Sequence, residues 1–393
     1  MASALSSRRF DAAAFGSALA LRLGFLAVWQ WKGLGEVYGR DLYYDLAQRW
    51  LGWAPMPAFD ATHPPLYTGF IAAVLGVFRS PNPLPILLLQ CLFGAASVLL
   101  VRRIGARLTD EATARAAALW VALDPTLIFF TPHLQTETLF VAMELVFFAG
   151  LFALLEESLS WRLIPLGVWG GLCALTRSVF SAYPAFLFLA LWRTRGFKRA
   201  FLFCALLGVG WFVPAAAWTA RNYRKYGRLV PMSSQMGWTM YEGFSLDREE
   251  VRRRPYDMEI EATRLGIMGP MERGDYFAAK TKAFVAANPG AALKIVVGKA
   301  LLFWRPFPYD PHTWWQRGAL GVYYLVLFGF CLLGLRAAAE RAAWGPVWAL
   351  FLYLTAMHSV FFTSLRYRLP LEPFLCLLAA VGALELRRRR ARG

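Results

Sequence analysis

Charge is scarce in this chain. Of its 393 residues only 17% are Asp, Glu, Lys or Arg, against 58% hydrophobic and 16% aromatic, and the mean hydropathy is +0.42. So little charge cannot solvate a soluble domain or a disordered chain, and a soluble nucleic-acid binder is excluded with them. Cysteine is scarce too: Cys91, Cys173, Cys204, Cys331 and Cys376 all lie in apolar runs, and no CxxC occurs. That excludes a disulfide-stapled scaffold and a structural zinc site. There is no HExxH, no GxxxxGK and no GxGxxG after a strand, so a zinc hydrolase, a nucleotide hydrolase and a soluble nucleotide-sugar domain all lack support. No internal repeat and no low-complexity tract is visible.

What remains is an all-α polytopic membrane protein. A span needs about 20 mostly apolar residues. The sequence predicts spans at 12–31, 82–101, 113–131, 135–154, 200–219, 319–336, 343–363 and 370–386, and 162–192 reads as a tight hairpin of two short spans with Arg177 at its bend. That makes ten. Arg8 and Arg9 before the first run suggest a signal peptide, but the run is long and lacks a small-residue cleavage site, so it reads as a retained span. The stretch from Pro64 to Phe78 is only about 15 residues long and reads as a helix at the outer interface.

Charge bias sets the orientation. With ten spans, the loops on one side together with both termini hold 17 of the 42 Lys and Arg, whereas residues 32–81 on the other side hold four. The positive-inside rule puts both termini in the cytoplasm, of a bacterial inner (plasma) membrane. The basic runs 193–199 and 387–392 then read as topology signals touching anionic lipid, not as nucleic-acid sites. Three parts follow: 1–219, a transmembrane module with the first outer loop 32–81; 220–318, an outer loop domain with amphipathic helices; and 319–393, the last spans and basic tail.

The outer side collects the residues with chemistry. Asp41 and Asp45 are four apart, on one face if helical, just beyond the first span where a lipid headgroup and an external hydroxyl both arrive. A carboxylate there serves as general base toward a hydroxyl, although two acids in a polar loop are otherwise simply solvated. Near the outer ends of later spans stand Asp124, Glu137, Arg177, Arg221 and Arg366-Tyr367-Arg368, and His63, His133, His312 and His358 fall on or near the same side. Each alone reads as a snorkelling or paired structural charge; their convergence on one leaflet points to a site. Glu144, seven residues beyond Glu137 and deeper, is expected to hydrogen-bond between helices. No ligand spacing demands a metal, and a divalent cation stays open as the one cofactor the outer acids would bind.

At these residues the chain resembles the GT-C glycosyltransferases that use polyprenyl-phosphate sugars, in particular the protein O-mannosyltransferase and aminoarabinose transferase group (glycosyltransferase family 39-like). The resemblance rests on Asp41, Tyr44 and Ala47 after the first span, Pro64-Pro65-Leu66-Tyr67, Thr136-Glu137, Leu175-Thr176-Arg177, Arg221-Asn222, Asn288-Pro289 and Arg366-Tyr367-Arg368-Leu369-Pro370. It implies an inverting transfer of one sugar from a polyprenyl phosphate to an acceptor hydroxyl outside the cytoplasm. Asp41 would be the base; many members carry adjacent Asp-Glu there, whereas Leu42 follows Asp41, so Asp45 shares or takes the role. Arg366, Arg368 and Arg177, with Arg221 and Lys299 behind them, would hold the leaving phosphate. Glu137 would position acceptor or sugar, and Tyr44, His63, Tyr67 and Tyr367 would line the substrate. The partners implied are the lipid-linked donor, membrane lipids and an acceptor that is a protein, a glycolipid or a polysaccharide. The rival reading is a lipid-linked sugar flippase or secondary transporter, kept open by Arg22 and Glu144 inside spans.

Overall fold

A computed structural model describes residues 2–33, 40–157, 159–308 and 313–391; the side chains of residues 2–6, Arg40, Asp41 and Arg248 and all of His312 lie outside the described residues. The regular elements among the described residues are helical. Six helical stretches are long and apolar enough to cross a membrane: Ser7–Trp31, Leu84–Leu108, Glu137–Leu155, Phe197–Tyr226, Trp314–Ala339 and Leu365–Arg390. Pro270–Ala287 and Pro289–Phe303, bent by 111° at the intervening Asn288, would make a seventh if the pair crosses as one. The architecture is thus all-α with six or seven candidate spans.

The other predicted spans coincide with shorter helices, and the sequence shows why they stop. The helices concerned are numbered in chain order with those around them: α1 (Ala2–Trp31), α2 (Asp45–Trp50), α3 (Pro65–Phe78), α4 (Leu84–Leu108), α5 (Glu111–Leu123), α6 (Pro125–Phe129), α7 (Glu137–Leu155), α8 (Leu163–Thr176), α9 (Tyr183–Arg195) and α10 (Phe197–Tyr226). Asp124-Pro125 divides the predicted span 113–131: Pro125 cannot continue α5, and the Asp124 carboxylate caps α6 by accepting from the backbone N–H groups of Thr126 and Leu127, both at 2.9 Å. The hairpin of α8 and α9 turns at Arg177, as its sequence suggests. α3 matches the stretch from Pro64 to Phe78, with Pro65 at its first position.

Helix α7 runs through the middle of the bundle. It is apolar all round, and 72% of its spanning window is buried, against 28% for α1; a helix of that kind belongs inside. Close packing beside it rests on glycine. A Cβ at Gly167 of α8 would lie 2.0 Å from the Leu207 carbonyl, and one at Gly210 of α10 would lie 1.9 Å from the Ile164 carbonyl, so only glycine lets these two backbones touch. This contact seats the first half of α8 against α10. The rest of the chain comprises α11 (Met236–Gly243), α12 (Arg248–Arg264), α13 (Pro270–Ala287), α14 (Pro289–Phe303), α15 (Trp314–Ala339), α16 (Gly345–Val360), a 3-10 turn Leu365–Leu371, and α17 (Glu372–Arg390).

Candidate active site

Glu137 opens α7, and its position at the N-terminal end favours a negative charge. Arg177, at the bend of the α8–α9 hairpin, donates from Nη1 to Glu137 Oε1 at 2.8 Å, and Arg366 in the 3-10 turn donates from Nε to the same oxygen. Glu137 is 1% exposed and its Oε2 has no hydrogen-bond partner among the described residues. Two guanidiniums on one buried carboxylate leave a net positive charge. Tyr367 lies beside both, its ring 5.5 Å from the Arg177 guanidinium carbon and 5.9 Å from that of Arg366, and it stacks on His358 at 4.8 Å. Residues 40, 189 and 229 positions apart thus meet in one cluster.

The first outer loop forms its neighbour. Tyr43 packs edge-on against Tyr67 and tilted against His63, both at 5.2 Å between ring centres. Tyr67 donates from its hydroxyl to Gln90 Oε1 at 2.6 Å, and Gln90 Nε2 donates to the carbonyls of Thr131 and His133; this chain fixes the loop just before α7. Burial pushes the Tyr43 phenol up to about 12, although Arg366 opposes it. Burial pushes the His63 imidazole down to about 4, and Arg366 acts in the same sense. Both are therefore neutral at pH 7, and the site's charge comes from Glu137, Arg177 and Arg366. Tyr43 was not singled out in the sequence; Tyr44 was, and its hydroxyl instead donates to the Pro81 carbonyl.

Three other predicted phosphate ligands are engaged elsewhere. Arg221 grips Asp60 with both Nη atoms at 2.7 and 2.5 Å, joined by Lys225 at 3.1 Å and the Tyr226 hydroxyl. Burial raises the Asp60 carboxyl, but these donors outweigh it and hold it down at about 2. The clasp ties the segment before His63 to the end of α10, and Ser234 N–H adds a bond to the Ala61 carbonyl at 3.2 Å. Lys299 donates to the carbonyls of Gly243 (2.6 Å), Val360 (3.3 Å) and Phe361, closing the C-terminal ends of α11 and α16. Arg368 is fully buried: it donates from Nε to Glu372 at 3.2 Å and from Nη1 to the carbonyls of Phe303 and Arg305, and lies 4.1 Å from the Tyr324 ring. Two residues from Arg366, it anchors the turn that presents Arg366.

Asp41 sits in the wide helical turn Arg40–Tyr44 that leads into α2, its side chain outside the described residues; Asp45 follows as the first residue of α2, half-buried. Glu144 differs from expectation: both carboxyl oxygens are buried without a hydrogen-bond partner among the described residues. Arg22 donates to the carbonyls of Ala18, Val121 and Ala122. Among the described residues no group of three or more His, Cys, Asp or Glu side chains is arranged to hold a metal.

Residues 62–218 match the family described as dolichyl-phosphate-mannose-protein mannosyltransferase; the stretch contains His63, Tyr67, Glu137 and Arg177 and ends before Arg221. In fold the chain is similar to the oligosaccharyltransferase of Archaeoglobus fulgidus in its apo form (TM-score 0.58, 16% identity, 97% of this chain and 51% of that one). It is also similar to that enzyme tethered to an acceptor peptide (TM-score 0.54, 15%, 90% and 46%). A third similar structure is the oligosaccharyltransferase AglB of the same organism with an inhibitory peptide and a dolichol-phosphate (TM-score 0.52, 13%, 89% and 47%). At these identities the likeness is one of fold, and the chain spans about half the length of these structures. No curated protein sequence matches the chain.

Proposed function

We propose that this chain, which matches the dolichyl-phosphate-mannose-protein mannosyltransferase family over residues 62–218, is a GT-C membrane glycosyltransferase of that kind and moves one sugar from a polyprenyl-phosphate donor to an acceptor hydroxyl outside the cytoplasm. The observation that carries this reading is the convergence of Arg177 and Arg366 on buried Glu137 beside Tyr43, His63 and Tyr67. A cluster with net positive charge beside neutral aromatic rings suits a phosphate bearing a sugar.

In this mechanism the acceptor oxygen attacks the anomeric carbon as its proton passes to Asp41, with Asp45 in reserve. The bond from that carbon to the phosphate oxygen breaks, its electron pair leaves with the polyprenyl phosphate, and the anomeric configuration inverts. Charge grows on the leaving phosphate, where preset guanidinium donors cost no reorganisation. Glu137 holds the two forks side by side and offsets the repulsion between them. Arg221, Lys299 and Arg368 serve the site by fixing the elements around it. The reading keeps ten crossings, with α5, α8, α9 and α16 as short ones, regions 32–81 and 220–318 outside and both termini inside.

Purified protein in liposomes containing labelled polyprenyl-phosphate sugar tests it. Appearance of free polyprenyl phosphate and of label on an added acceptor is expected, with Arg366→Ala raising the KM for the donor. Movement of the intact donor across the bilayer without any sugar transfer would contradict it.

A further inference from the structure

A groove of about 620 Å³ opens between the end of α2, the turn that follows it and the end of α3, lined by Gln48, Leu51, Trp53, Gly76, Arg79 and Pro81. Its size is that of a small-ligand site. Gln48 lies three residues after Asp45 on α2, hence on the same face and within one helical turn of a candidate base. Its walls are tied down: Tyr44 donates to the Pro81 carbonyl, Arg49 to the Pro55 carbonyl, and Trp53 N–H to the Gln48 carbonyl at 3.0 Å. Trp53 is 43% exposed.

Arg79 is the informative residue. It ends α3 in the left-handed conformation, φ 48° and ψ 38°, the only non-glycine residue with positive φ among those described. Glycine holds that position without strain. An exposed arginine that makes no ion pair among the described residues gains nothing for the fold there, and outliers of this kind gather at functional sites. An indole and an amide lining one groove fit a sugar ring, whose C–H face packs on an indole while its hydroxyls reach an amide. A guanidinium at the rim without an ion pair among the described residues adds a site for an anion.

Resting on the transferase reading, we infer that this groove binds the acceptor, and that the acceptor is a glycan carrying an anionic group. Sugar rings lie on Trp53 and Gln48, the anion meets Arg79, and the reacting hydroxyl is directed toward the turn holding Asp41 and the start of α2 with Asp45.

The test uses full-length protein in detergent or nanodiscs and three probes: a phosphorylated oligosaccharide, the same oligosaccharide dephosphorylated, and a peptide rich in Ser and Thr. Equilibrium binding is measured alongside transfer from labelled donor. Arg79→Gly should keep or raise the melting temperature, since glycine relieves the strained position, while weakening the phosphorylated glycan about tenfold, the loss of one charge-assisted hydrogen bond. The dephosphorylated glycan should not respond to that variant. Trp53→Ala should weaken both glycans, with the donor KM unchanged in either variant. Unaltered glycan affinity and acceptor KM in a folded Arg79→Gly protein would overturn the inference, as would the peptide proving the preferred ligand. Glycan binding that depends on Arg79 without any transfer would instead sink the transferase reading and leave the groove standing.

Discussion

Replacing Glu137 by Gln removes one negative charge from between two guanidiniums while changing the side-chain volume little. The side chains of Glu137 and Arg177 are 1% and 8% exposed, and that of Arg366 is 30% exposed. Breaking a buried pair costs about 3–5 kcal/mol because a charge is left without a partner. Here two cations are left, but water reaches Arg366 and screens it, so the lower end, about 3 kcal/mol, is the expected loss. That is about two powers of ten in the folding equilibrium and a large part of the stability of a typical domain. Equilibrium unfolding in mixed micelles, followed by tryptophan fluorescence, measures it. Removing Arg177 as well, in Glu137→Gln/Arg177→Met, should recover part of the loss, giving a coupling of at least about 1 kcal/mol. A Glu137→Gln protein within about 0.5 kcal/mol of wild type, the range of an ordinary surface change, would refute the reasoning. So would strict additivity of the two substitutions.

The clasp around Asp60 carries a pH signature. Its folded carboxyl sits at about 2, below the ordinary 3.8, so the native state binds the proton less readily than the unfolded state does. The stabilisation, about 2 kcal/mol, is complete above pH 4 and is lost as pH falls toward 2; Asp60→Asn should flatten the stability profile in that window, and an unchanged slope would remove the clasp from the account. Gly210→Ala drives a Cβ against the Ile164 backbone and should cost about 1–3 kcal/mol or more, read from thermal unfolding. Gly208→Ala, whose Cβ would meet nothing within 4 Å, should be neutral or stabilising; equal losses in both would undo the close-packing argument.

Much of the site was legible because its motifs lie at element boundaries. Thr136-Glu137 starts a helix, Leu175-Thr176-Arg177 ends one, and Arg366-Tyr367-Arg368 forms the turn before the last, so their placement on one side followed from span counting alone. Roles were less legible. Arg221, Lys299 and Arg368 stand at similar depth and carry the same charge as Arg177 and Arg366, but a linear sequence does not display partners: Asp60 is 161 positions from Arg221, and the carbonyls that Lys299 meets belong to the ends of two other helices. Tyr43 and Tyr44 are adjacent, and only the wide turn Arg40–Tyr44 decides which ring faces the histidine. Helix lengths were hard to read for a related reason. Hydropathy registers apolar stretches, whereas helix length is set by breakers such as Asp124-Pro125.

The central claim is that a carboxylate just after the first span accepts the proton of the attacking hydroxyl while Arg177 and Arg366 hold the departing phosphate. The most direct test is single-turnover transfer from labelled polyprenyl-phosphate sugar by wild type, Asp41→Asn and Asp45→Asn, with donor binding measured on the same preparations. The account predicts that Asp41→Asn binds donor normally and transfers at least about a hundredfold more slowly, the scale of a lost general base, while Asp45→Asn is affected less. An inactive Asp45→Asn beside a near-normal Asp41→Asn would move the base by one helical turn. Normal transfer by both variants would contradict the mechanism.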